Sequence, residues 1–306
     1  MKELYLVFFC FLWGIFCKKT NLIPRDSYKI LSRFIISVSL PAVILLHIPK
    51  IQKTPEIIFL VLVPWFWFGL VYVFLKYLSR FWNLTKKEFL AFWVSIGLGN
   101  TSFLGIPLLK SLVGESSIPF AVVFDQLGTF LILSLVIVPT LERDFTDHSQ
   151  DRKKILPYLK TVLTFPPLVA FFFAFCIVAF GISYPTPVEI VLQSLGNTLA
   201  PIALVSVGIL FDWNFTKRDV FLLVFALSIK LVLSPILFAG LFSFSKEELL
   251  KTVIVLESGM GSSITGCLLL LEKDIESKWI ASMLSLSLFF SFFTVPILYQ
   301  VLKSHG

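Results

Sequence analysis

Charged residues are scarce in this chain: they occupy 15% of its 306 positions, while 57% are hydrophobic and 34 are phenylalanine. A soluble domain carries roughly a quarter charged residues, so that class is excluded. Cysteine is also rare. Cys10, Cys17, Cys176 and Cys267 all fall in or at the edge of apolar segments, without CxxC spacing, which supports neither a disulfide framework nor a metal site. The three histidines, His47, His148 and His305, are scattered, so metal chemistry is not indicated. No P-loop is present, which removes ATP as an energy source, and no HExxH or Ser-His arrangement supports hydrolysis. Asp125 and Glu257 are the only carboxylates that would suit a catalytic pair inside the membrane, and without accompanying groups the expectation is that the protein is not an enzyme. After the apolar run Leu4 to Cys17 there is no small-x-small cleavage site, and Lys18-Lys19 close it as a stop-transfer flank would. That run therefore reads as a first helix, short enough to extend into its neighbours or to sit in a thin region.

What the chain does have is ten apolar segments: Leu4 to Cys17, Ile30 to Ile48, Ile57 to Leu75, Phe89 to Val113, Ile118 to Leu141, Leu156 to Phe180, Val188 to Phe211, Val220 to Phe242, Leu249 to Leu271, and Trp279 to Leu302. Barrel-type alternation is absent, and helix is the only open structure that satisfies its own backbone in hydrocarbon. The fold class expected is an all-α integral membrane protein of ten transmembrane helices. The formal charge of +7 is spread between the segments and forms no single patch, so no nucleic-acid partner is expected. Its distribution sets topology instead. Connections after odd-numbered segments, with adjoining helix ends, hold 17 Lys and Arg against 6 on the opposite side. That places the odd connections in the cytoplasm and both termini outside, in a plasma membrane of the bacterial inner-membrane kind. Trp82, Trp213 and Trp279 fall near cytoplasmic helix ends, as an interfacial belt would.

The longest polar connection, Glu142 to Ile155, divides ten segments into five and five. Because five is odd, the second half starts on the opposite side, and any repeat is inverted. Pro41 and Pro201, Gly99 and Gly259, and Glu88 and Glu248 share one offset, a faint trace of such a repeat. The expected organisation is a first five-helix repeat over 1–141, a cytoplasmic linker over 142–155 and a second repeat over 156–306.

Two segments carry polar interruptions. In segment 4, SIGLGNTSFLGIPLL runs from Ser95 to Leu109 and combines Gly97, Gly99, Gly105 and Pro107 with Asn100, Thr101 and Ser102. A helix broken in hydrocarbon leaves backbone groups unpaired at several kcal/mol each unless something meets them. Broken helices of this kind line substrate and ion sites near the midplane; a proline-kinked packing helix is the competing reading. Segment 9 reads LESGMGSSITG, where Gly259, Gly261 and Gly266 relax the helix, and Ser258, Ser262, Ser263 and Thr265 offer oxygens. Glu257 is an ionisable group at membrane depth, a functional hypothesis by default, with a salt bridge to Lys230 or Lys110 as the alternative. Asp125 and Gln126 in segment 5 fall under the same argument, with Asp125 nearer the outer end and open to solvation.

The sequence Asn100-Thr101-Ser102-Phe103-Leu104-Gly105-Ile106-Pro107, preceded by Gly97 and Gly99, closely resembles the fourth-helix motif of the auxin efflux carrier family of membrane transporters. SLPAVILL around Pro41 and APIALVSVGILF around Pro201 resemble that family's second and seventh helices, so the match spans nearly the whole chain. The resemblance implies ten helices in two inverted repeats, a scaffold and a transport domain, helices 4 and 9 crossing where each unwinds, and Asn100 and Pro107 at the substrate site. It also implies organic-anion cargo, such as auxin, malate or malonate. Segment 9 departs from the family: it lacks the proline often found at the crossing and looks more like the Glu-Thr-Gly-Met segment of bile acid sodium symporters, whose glutamate matching Glu257 helps hold sodium. The plant members' long central loop is missing as well, which makes a bacterial-type member the closer fit.

The function expected is secondary transport of a small organic anion by alternating access. Substrate contacts are assigned to Asn100, Thr101, Ser102, Gly105, Pro107, Gly259, Ser262 and Ser263. Ion coupling is assigned to Glu257, Ser258, Asn100, Thr101 and Asp125, with sodium at Glu257 as the one candidate cofactor. A sodium-coupled symporter of the bile-acid type is the alternative, and an anion channel or sensor ranks third. The expected partners are the anion and the lipid bilayer; a homodimer stays open as an assembly.

Overall fold

The computed structural model describes residues 2–24, 26–51, 54–145, 163–211, 220–273, 275 and 277–305. Expectations resting on Arg25, Lys53, His148, Arg152, Lys153, Lys154, Lys160, Trp213, Lys217 and Arg218, and on most of the central linker, lie outside those residues.

Among the described residues the chain is helical without strands, apart from one isolated antiparallel bridge. Six helical runs are long and apolar enough to cross a membrane: α2 (Ser27–Lys50), α3 (Pro55–Trp82), α6 (Glu115–Phe145), α8 (Thr186–Leu210), α9 (Val220–Leu241) and a run within α12 (Ser277–His305). Around them stand α1 (Lys2–Lys19) and the shorter apolar α7 (Pro166–Phe180). Apolar segment 4 folds as two pieces, α4 (Lys86–Gly97) and α5 (Ile106–Leu112), and segment 9 as α10 (Glu248–Ser258) and α11 (Ile264–Glu272). Local chemistry sets the ends. Asn83 in the left-handed region stops α3, and a capping box starts α4, with Thr85 Oγ1 accepting from the Glu88 N–H at 3.1 Å while Glu88 Oε2 accepts from the Thr85 N–H at 2.8 Å.

The helices pack in two groups. In one, α1 lies along the second half of α8, while α7 and the first half of α8 lie on the second half of α2. Gly14 and Gly208 allow the first of these contacts: a Cβ on Gly14 would stand 2.9 Å from the Gly208 Cα, closer than two side-chain-bearing helices can approach. A hydroxyl pair, Ser39 Oγ and Thr198 Oγ1 at 2.7 Å, ties α2 to the middle of α8. In the other group, α3 packs on α4 and α6, and α10 on α9, with α12 behind α9, α10 and α11. The π-helical turn before α5 touches α8, and α5 itself touches α1, so the piece after the first break bridges the groups. The outer surface is apolar, with Phe172, Phe173 and Phe175 on α7 all more than half exposed. In water such a surface would be an aggregation liability; in a bilayer, lipid covers it. Trp279, expected in an interfacial belt, is 7% exposed and packs on Phe92 with ring centroids 4.4 Å apart. The start of α12 is covered by α4, so that ring serves packing.

Candidate functional site

The first break is a true interruption. Leu98 is extended, and Asn100 leaves the helical region before a π-helical turn, Thr101–Gly105, leads into α5. The second break, after Ser258, resumes as helix at Ile264 with Ser263 as N-cap, its Oγ accepting from the Gly266 N–H at 3.2 Å. The two breaks satisfy each other. The Asn100 N–H donates to the Gly261 carbonyl at 2.8 Å, and the Ser263 N–H donates to the Leu98 carbonyl at 3.1 Å, on either side of the Gly99–Ser262 bridge. Neighbouring groups complete the repair: Ser262 Oγ donates to the Ser95 carbonyl at 2.7 Å, the Ser262 N–H to Ser287 Oγ at 2.9 Å, and the Trp67 indole to the Ile96 carbonyl at 3.1 Å. A short piece of sheet-like pairing thus replaces the helical bonds that two apolar segments give up, which is how irregular backbone is tolerated away from lipid.

Around this join lie three buried ionisable side chains. Asp125, 3% exposed, accepts from the hydroxyl of Thr101, from Ser102 Oγ at 2.6 Å and from Gln126 Nε2 at 2.6 Å. Glu257, 1% exposed, has no hydrogen-bond partner at either oxygen among the described residues. Its carboxylate lies against Gly105, where an added Cβ would stand 2.7 Å from Oε1. Lys230 is equally buried, and its Nζ lies 3.5 Å from the place a Cβ on Gly99 would occupy. Glu257, Lys230 and Asp125 thus gather around the stretch from Gly99 to Gly105. The Asn100 Nδ2 and Gln126 Oε1 atoms are also buried and unpaired among the described residues. Three of the contributing elements are π-helical where they meet the cluster: Thr101–Gly105, Phe124–Phe130 and Ile229–Leu233. Such wide turns recur at functional sites because they re-aim side chains that a regular helix would send elsewhere.

The structure therefore gathers Asn100, Thr101, Ser102, Gly105, Asp125 and Glu257 at one place, and it buries Asp125, which the sequence placed within reach of solvent. Other expected residues do different work. Ser258 Oγ donates to the Ile254 carbonyl at 2.7 Å, and the hydroxyls of Ser262 and Ser263 hold the join and the cap. Gly259 packs toward Leu298 and Pro235. Pro107 faces away, onto a cleft of about 30 Å³ that it shares with His47, Lys110, Gln193 and Asn197. The carbonyls of Leu98, Asn100 and Gly261 each accept a backbone N–H. Lys110 pairs with Glu115 at 3.3 Å, which excludes it as the partner of Glu257. Lys230 was legible only as a salt-bridge option, yet a lone lysine in an apolar segment carries the same signal as Glu257.

An all-helical membrane protein with two interrupted helices, joined at their breaks beside a buried charged cluster, has the architecture of a membrane transporter, and comparison with known proteins agrees. Residues 1–299 match the family model described as membrane transport protein, the auxin efflux carrier family, and the chain belongs to that family. It is 26% identical to an uncharacterized transporter of Methanocaldococcus jannaschii over 97% of each chain. It is 24% identical to another uncharacterized transporter, from Methanothermobacter thermautotrophicus, over 94% of this chain and 93% of the relative.

Proposed function

We infer that the protein is a secondary carrier of a small organic anion that works by alternating access, its substrate held where the two breaks meet. The observation that carries this reading is a charge imbalance. Among the described residues two buried carboxylates, Asp125 and Glu257, lie around the join with one buried ammonium, Lys230, and Glu257 keeps both oxygens unpaired. A carboxylate out of water needs a compensating charge, since breaking or omitting a buried pair costs about 3 to 5 kcal/mol. One mobile cation, sodium or a proton, balances the cluster, and its travel with an anion is the simplest coupling. The Glu257 oxygens, with Gln126 Oε1 as a further unpaired oxygen, offer the hard donors sodium prefers, while Lys230 limits how much added positive charge is needed. Helix starts at Thr101 and Ile264 set peptide dipoles at the join, which suits a carboxylate.

In this reading the ten apolar segments are ten crossings in two inverted repeats, 1–141 and 156–306, joined by 142–155, with both termini outside a bacterial inner membrane. The reciprocal bonds at the join support the symmetry: exchanging the roles of the two segments turns the Asn100–Gly261 bond into the Ser263–Leu98 bond. The group of α1, α2, α7 and α8 then serves as scaffold, and the other group moves. A sodium-coupled symporter of the bile-acid type is the second reading, favoured by the unpaired Glu257. Proteoliposome uptake of labelled carboxylates under imposed sodium, proton and voltage gradients, each in turn, tests both. Flux of no carboxylate under any gradient would reject the carrier reading; flux driven by sodium alone would select the symporter.

A further inference from the structure

The cleft beyond Pro107 holds polar groups that the mechanism above leaves unused. It lies between the end of α2, the helix α5 and the first half of α8, with room for about one water molecule. His47, 5% exposed, lines it. Gln193 Nε2 donates to Asn197 Oδ1 at 3.1 Å, and Lys110 Nζ reaches the same oxygen at 3.4 Å. On its other side Lys110 pairs with Glu115, whose side chain is 59% exposed while that of Lys110 is 26% exposed. Lys50, on the same end of the bundle, is engaged by Glu189 at 3.2 Å. Lys110 therefore stands between a water-facing carboxylate and a cleft lined with amides, an imidazole and the apolar Val43, Leu46, Ile106 and Ala200.

We propose that this cleft, widened as α5 and α8 separate, is a docking subsite for the carboxylate of the transported anion, and that Glu115 is an internal competitor which Lys110 releases when the anion arrives. The proposal rests on the organic-anion reading. An ammonium has three donors and is bound to none of its present partners strongly: exposed ion pairs contribute little, and 3.4 Å is a long hydrogen bond. Replacing one carboxylate by another at Lys110 is close to an even exchange, and His47 and the amide N–H groups of Gln193 and Asn197 line the cleft as further donors. Lys110 rides on α5, which follows the break and bridges the two packing groups, while Asn197 lies in α8 of the first group. Docking thus acts on a contact that alternating access must change.

Lys110→Gln and Glu115→Gln break the same ion pair, yet docking requires opposite effects. The measurement is equilibrium binding of radiolabelled malonate and of radiolabelled indole-3-acetate to the full chain in nanodiscs, for variants as monodisperse as wild type. Lys110→Gln is expected to weaken the bound probe about tenfold, the scale of a lost charged hydrogen bond. Glu115→Gln is expected to tighten it severalfold, and Lys110→Arg to stay near wild type. Should Lys110→Gln not fold, the exposed Glu115→Gln decides alone, and unchanged or weaker affinity there overturns the subsite. Equal changes in the same direction, or no change in folded Lys110→Gln, also overturn it while wild-type binding upholds the carrier reading. Wild type binding neither probe overturns both.

Discussion

Gly105 and Glu257 touch across the two broken segments, the glycine giving the carboxylate a place that a methyl group would fill. A Cβ at position 105 would stand 2.7 Å from Glu257 Oε1 and 2.9 Å from Cδ. The atoms it meets are the far end of a flexible side chain, so Gly105→Ala should fold, with monodispersity and melting temperature near wild type, while pushing the carboxylate aside. Carboxylate uptake is expected to fall about tenfold or more, as displacement of a site group by about 1 Å commonly costs. Normal uptake in the alanine variant would mean that the position of Glu257 does not matter to transport.

Asn100 offers the join a side-chain amide whose Nδ2 has no partner among the described residues. Its backbone bond to Gly261 survives truncation, so Asn100→Ala should leave the join intact. Substrate affinity should drop about tenfold, as loss of roughly 1.5 to 3 kcal/mol for a hydrogen bond to a charged group implies. Isothermal calorimetry on folded variant protein checks it; unchanged affinity removes Asn100 from the site.

Glu257→Gln keeps size and hydrogen-bonding capacity and removes the charge. If Glu257 holds the coupling cation, concentrative uptake driven by sodium or proton gradients disappears while exchange of internal for external substrate persists. A variant that still concentrates substrate would make Glu257 a structural partner of Lys230, and the protein a uniporter.

Motion is accessible through a single cysteine at Ser102, which is partly exposed, unlike Ser262, whose hydroxyl and N–H hold Ser95 and Ser287. In a background lacking Cys10, Cys17, Cys176 and Cys267, labelling of Ser102→Cys by impermeant thiol reagents should shift between membrane faces with ligand. Labelling from one face under all conditions, including during flux, would point to a fixed pore.

Much of this protein is written along the chain. Apolar length and the scarcity of charge fix a helical membrane protein because a backbone in hydrocarbon has so few ways to satisfy itself. Glycines and polar residues inside segments 4 and 9 mark the breaks for the same reason, and the cost of an ionisable group at depth makes Glu257 conspicuous. Tertiary structure alone decided what those breaks meet. Gly99 faces Ser262 and not Gly259, its sequence-offset counterpart, because pairing at the join follows the position of free N–H and C=O groups in space. The serines of segment 9 look like ligand oxygens in sequence, yet a hydroxyl bonds to whichever carbonyl stands nearest, and here Ile254 and Ser95 stand nearest. Asp125 is buried, and Lys230 reaches Gly99, through π-helical turns that shift side-chain direction without any signature in hydrophobic periodicity.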